Sequence, residues 1–87
     1  TIIINNSGWE SVKRAVQNVY PHGKAVKSND MPLVSLDPTP DFEKVIEASG
    51  GYAERVEDPR EFQAAFERAI RVVRVERRQA MVNVICQ

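Results

Sequence analysis

The opening run Ile2-Ile3-Ile4-Asn5-Asn6-Ser7-Gly8-Trp9-Glu10 constrains this chain more than any other stretch. Three consecutive β-branched apolar residues predict a short strand buried on both faces, as in a parallel sheet. Two carboxamides then stand at the strand's carboxyl end, the edge where open α/β sheets hold ligands. Ser7 and Glu10 form an S-x-x-E pattern, which predicts a capping box and a helix beginning near Ser7. A side-chain amide oxygen, a free carbonyl and a helix start together suit a hard cation accompanied by an anionic ligand. Asx residues are also ordinary turn formers, so a plain strand-to-helix turn accounts for the same residues without any ligand.

Downstream, Trp9, Val12, Val16, Val19 and Tyr20 recur at helical spacing and give one apolar stripe, which Pro21 and Gly23 end. Residues 21–39 hold Pro21, Pro32 and Pro38 and read as a long irregular crossing, a candidate lid. A second helix is expected from Thr39 or Pro40, with Phe42, Val45 and Ile46 on its buried face and Gly50-Gly51 as its left-handed cap. Tyr52 to Val56 reads as a strand. The third helix has an N-cap in Asp58, a proline at its first position in Pro59, and Glu61 three residues past the cap. Its apolar stripe is Phe62, Ala65, Phe66, Ala69, Ile70 and Val73, and its arginine-rich opposite face reads as a solvated surface. Arg77 and Arg78 close the helix, and Met81 to Cys86 is a final apolar strand.

The fold class is therefore α/β, a partial parallel (Rossmann-like) sheet with helices on both faces in the order β-α-loop-α-β-α-β. At 87 residues the chain is at most one small domain. Its first and last strands both call for neighbours on each side, and three strands cannot supply them all. The expectation is that residues 1–87 were cut from a larger domain or pack against another chain, and an opening directly on a strand at Thr1 favours the first.

Twelve basic and twelve acidic residues cancel, and aromatics are few, so no nucleic-acid footprint is supported. No stretch has the length and apolarity of a membrane span, and nothing resembles a signal peptide. The single cysteine, Cys86, has no internal disulfide partner and reads as a small buried hydrophobe; the default setting is reduced and cytoplasmic.

These residues resemble a known family. The strand ending in Asn5-Asn6, followed by Ser7-Gly8-Trp9 and an amphipathic helix, resembles the close of the thiamine-diphosphate motif, which opens with Gly-Asp-Gly. Pro40-Asp41-Phe42, Ala48-Ser49-Gly50-Gly51-Tyr52-Ala53, Val56-Glu57-Asp58-Pro59 and Val82-Asn83-Val84 are similar to the C-terminal diphosphate-binding domain of the acetolactate synthase and benzoylformate decarboxylase group.

The resemblance implies thiamine diphosphate and Mg2+ as cofactors of an intact parent enzyme. In it Asn6 would give a side-chain oxygen, and Gly8 a backbone carbonyl, to the metal. Asn5 would anchor the cofactor-binding turn. Trp9 and Val12 become substrate-pocket candidates, with ordinary core packing as the competing reading. Lys13 and His22 are expected to be solvent-facing or loop residues, and no catalytic side chain is assigned.

The chain lacks Gly-Asp-Gly and the glutamate that contacts the aminopyrimidine, so alone it is expected to be inactive. The resemblance implies a partner in the rest of the parent or a companion chain, a dimer or tetramer, and a small 2-oxo acid or aldehyde substrate whose C–C bond is made or broken beside a carbonyl. The alternative is a non-catalytic α/β binding or assembly module that pairs through its sheet edges.

Overall fold

The computed structural model describes residues 1–86. The chain divides into two compact units, one of Thr1–Asn5 with the chain from Pro40 onward, the other Asn6–Thr39.

The first unit is an α/β sandwich of one sheet between helices. Strands β1 (Ile2–Asn5), β2 (Tyr52–Val56) and β3 (Ala80–Ile85) form a parallel sheet in the order β1-β3-β2. Ile2 to Asn5 pair with Val82 to Ile85, and Tyr52 to Val56 pair with Ala80 to Val84. Helices α3 (Phe42–Ala48) and α4 (Phe62–Arg71) take opposite faces. Val56, Ala80 and Val82 pack against Ala65, Ala69 and Val72 on the α4 side. Successive strand residues point to opposite faces, and Asn83 accordingly meets Glu43 of α3, donating from Nδ2 to Oε1 at 3.0 Å. The expected parallel sheet with helices on both faces is the one observed.

Local chemistry explains the element ends. Asp41 caps α3 by accepting the Lys44 N–H at 3.3 Å, and Gly50, with φ +77°, supplies the left-handed residue after it. Asp58 accepts the Arg60 N–H at 2.9 Å and Pro59 follows it. The first turn, Pro59–Glu61, is 3₁₀ rather than α. Beyond α4 the chain widens into a π turn, Val72–Glu76, ended by Arg77 in the left-handed region at φ +55°.

Several expectations need correction. The first strand is not buried on both faces: β1 is a sheet edge, and Ile2 and Ile4 are 45% and 68% exposed. The last strand, by contrast, is central and has both its neighbours. The second helix starts at Phe42, with Asp41 as cap, and Val45 faces outward while Glu43 turns inward to Asn83. In the third helix Val73 is 46% exposed and Val72 only 8%: Val72 stands seven residues after Ala65 and three after Ala69, so it continues the buried face at ordinary helical spacing, with Phe66 and Val73 on its flank. Cys86 is an exposed free thiol, one residue past the end of β3.

The second unit contains α1 (Glu10–Val19) and α2 (Lys24–Ser28), neither with a fully buried residue. The crossing after α1 is thus partly helical, and Asn29 at φ +52° ends α2. The helix expected from Ser7 begins at Glu10, with Trp9 at the N-cap and no side-chain cap. Ser7 instead adopts a left-handed φ of +54°. The reason is a competing ladder: Gly8 forms an isolated antiparallel bridge with Ser35. The Trp9 N–H donates to Val34 O and the Leu36 N–H to Ser7 O, both at 2.8 Å. An N-cap residue needs extended backbone, and Ser7, held left-handed beside this bridge, does not have it.

Candidate functional site

Asn6 is the residue after β1, and its side chain folds onto its own turn. The Gly8 N–H donates to Asn6 Oδ1 at 3.3 Å, an Asx-type turn across Ser7. That bond takes one lone pair of Oδ1 and leaves the other for an outside partner. The ladder rungs run through Ser7 and Trp9, so the Gly8 carbonyl between them lies outside the ladder. A Cβ on Gly8 would stand 3.0 Å from the Val34 carbonyl oxygen. Glycine is what allows the two backbones to approach this closely.

These groups line a cleft of about 280 Å³ within the second unit, together with Glu10, Lys13, Asp30 and Ser35. At roughly 30 Å³ per water molecule this has room for about nine waters, enough for a hydrated ion with a small anion. Among the described residues no side chain caps the first-turn amides of α1, and such amides favour an anionic acceptor. Glu10 is held by Arg14 at 3.7 Å. Lys13 is half-buried on the same wall, not solvent-facing as expected, whereas His22 is exposed as expected.

The structure brings Asn6 and Gly8 together in this cleft. Asn5 is buried at the end of β1, where its carbonyl accepts the Cys86 N–H at 2.8 Å. Trp9 and Val12 do not line the cleft; they are 57% and 51% exposed, so neither is core. Sequence reasoning missed Asp30 and Ser35. The only local hint was the turn-rich composition around them, since the bridge that brings them to Gly8 is long-range.

Two other polar features have structural explanations. Tyr52 donates to Glu54 Oε2 at 2.5 Å, and Arg68 of α4 makes a two-pronged contact with the same carboxylate. The Arg68 hydrogen bonds, with help from Tyr52, hold the Glu54 carboxyl below its usual range, while burial and Glu54 raise the Tyr52 hydroxyl. A larger cleft, about 770 Å³, opens at the carboxyl ends of β2 and β3. It is lined mainly by apolar groups, and its charged pair Arg55–Glu57 is already closed at 2.9 Å.

Residues 1–84 match the family described as thiamine pyrophosphate enzyme, C-terminal TPP binding domain. The chain belongs to that family. No curated protein and no solved structure matches it. It is thus a thiamine-pyrophosphate-binding domain of an enzyme that depends on that cofactor.

The residues of the cleft fit the diphosphate end of such a cofactor. The two best-placed donors, Asn6 Oδ1 and the Gly8 carbonyl, are neutral oxygens, and hard cations select oxygen. Among the described residues no group of three or more His, Cys, Asp or Glu could hold a metal alone. A magnesium ion here would need oxygens from an anionic ligand, which is its usual habit beside phosphates. Among the described residues no helix is long and apolar enough to cross a membrane.

Proposed function

We propose that this thiamine-pyrophosphate-binding domain serves an enzyme of the acetolactate synthase and benzoylformate decarboxylase group, one that makes or breaks a C–C bond beside the carbonyl of a 2-oxo acid or aldehyde. The observation that carries the cofactor reading is the Asn6-Ser7-Gly8 turn. Asn6 and Gly8 line a single cleft, with a left-handed Ser7 between them and the Gly8–Ser35 bridge beside them. Asn6 and Gly8 would hold Mg2+, and the backbone N–H groups at the start of α1 would donate hydrogen bonds to the diphosphate. Asn5, buried in the sheet, fixes where the turn begins. When bound, the cofactor supplies the carbanion-stabilising chemistry; the protein's part is to hold and orient it. The wording of the remaining chain, from Pro40-Asp41-Phe42 to Val82-Asn83-Val84, supports the particular group. Other parts of the parent, or a companion chain, complete the site in an oligomeric cytoplasmic enzyme, and Trp9 and Val12 face its substrate.

Calorimetry of the full-length protein with Mg2+ and thiamine diphosphate tests this reading. Binding that requires the metal and is lost in Asn6→Ala is expected; a folded protein indifferent to both would overturn it. Turnover of 2-oxo acids by the same preparation tests the reaction class.

A second reading is favoured by one observation, the exposure of Ile2 and Ile4 on the edge strand β1. An apolar edge of this kind suits pairing with another strand, as a non-catalytic assembly module would use it. A monodisperse complex that binds no cofactor would favour this reading.

A further inference from the structure

Lys13 is an unusual residue for its position. It is the fourth residue of α1, close to the positive end of the helix, where a cation is disfavoured unless an anion is nearby. Arg14 follows it, and the one acidic residue in the first turn, Glu10, is engaged by Arg14. Among the described residues Lys13 enters no ion pair. It is nonetheless half-buried and lines the cleft that holds Asn6 and Gly8. Helix end and ammonium group therefore raise the positive potential of one small, oxygen-lined space.

We propose that Lys13 is the cationic contact for the phosphate groups of the anion bound in this cleft, opposite in role to Asn6 and Gly8, which hold the metal. The inference rests on the cofactor reading above. It assigns a division of labour: neutral oxygens for the cation, a flexible ammonium for the phosphates. Asp30, in the same cleft, keeps the space from becoming a general anion trap, so that a metal-neutralised diphosphate is preferred over a bare one. Lysine suits this task as a compact, rotatable point charge.

The test uses the full-length protein and two probes, Mg2+ alone and inorganic pyrophosphate at saturating Mg2+, titrated calorimetrically. Lys13→Gln is expected to weaken pyrophosphate about tenfold, the size of one charge-assisted hydrogen bond, and to flatten its salt dependence. Lys13→Arg is expected to keep most of the affinity, and neither variant should weaken Mg2+ binding. Unchanged thermal midpoints would confirm that both variants fold. Unaltered pyrophosphate affinity in Lys13→Gln, with Asn6→Ala still abolishing the Mg2+-dependent part, would overturn this inference and leave the cofactor reading standing. If Asn6→Ala alters neither titration, the cofactor reading itself falls, and this inference with it.

Discussion

Asn83 in the central strand donates from Nδ2 to Glu43 Oε1 on α3 at 3.0 Å, and the contact leaves an acceptor on each side unanswered. Glu43 Oε2 and Asn83 Oδ1 are both buried without a hydrogen-bond partner among the described residues. Two facing acceptors with no donor between them carry a desolvation cost that a single added donor would relieve.

Glu43→Gln places an amide nitrogen where Oε2 stands, and that nitrogen can donate to Asn83 Oδ1. The variant is expected to be more stable by about 1 kcal/mol, seen as a higher urea midpoint at unchanged slope. Asn83→Asp removes the donor and sets two carboxyls together, and is expected to lower the midpoint. A loss of stability in Glu43→Gln would refute this account of the pair.

The Tyr52–Glu54–Arg68 cluster makes stability depend on acid. Arg68 first, then Tyr52, hold the Glu54 carboxyl below its ordinary value of about 4.5. A carboxyl lowered in the folded state adds stability above its unfolded value, and that contribution disappears as pH falls through the folded one. Urea midpoints of the wild type are therefore expected to drop between about pH 5 and pH 3, with a shallower drop in Glu54→Gln. Parallel curves for the two proteins would show that the cluster does not contribute.

Gly8→Ala tests close approach at the Asn6-Ser7-Gly8 turn. Its Cβ would meet the Val34 carbonyl at 3.0 Å, an oxygen already fixed by the Trp9 N–H. Weaker Mg2+-dependent cofactor binding is expected, by tenfold or more on the order of 1.4 kcal/mol. Gly50→Ala is the control: it has open space around the added Cβ but a φ of +77°. It should cost about 1 kcal/mol of stability and leave cofactor affinity alone.

The burial of Val72 beside an exposed Val73 makes a prediction that the expected stripe through Phe66, Ile70 and Val73 would reverse. Val72→Ala removes a core contact and is expected to cost about 2 kcal/mol, whereas Val73→Ala should stay within about 0.5 kcal/mol of wild type. Thermal midpoints of the two variants decide which residue faces the sheet.

Much of this was legible where the signal is local. The Asp58-Pro59 start, the Gly50 end of α3 and the period of α4 through Ala69 depend on neighbours within a turn or two. The Asn5-Asn6 turn was visible for the same reason. What escaped came from distant pairings. Ser7 is denied its capping role by a ladder to residues 34–36, and Asp30 and Ser35 reach the cleft only through that ladder. The exposure of Ile2 and Ile4 follows from strand order, which composition does not encode. Val72 takes the place expected of Val73 because the buried face centres on Ala65 and Ala69 and not on Phe66, a choice that the run of apolar residues on both sides leaves open.

The Gly8–Ser35 bridge gives the site an unusual tolerance. Its two rungs join Ser7 to Leu36 and Trp9 to Val34 and close a long excursion of the chain. The entropy of such a closure grows only with the logarithm of its length. Insertions or deletions between α1 and α2 should therefore be absorbed with Asn6 and Gly8 left in place, while a slip of one residue at positions 34–36 would dislodge Gly8. Chains that differ widely in that excursion can thus keep the same placement of Asn6 and Gly8.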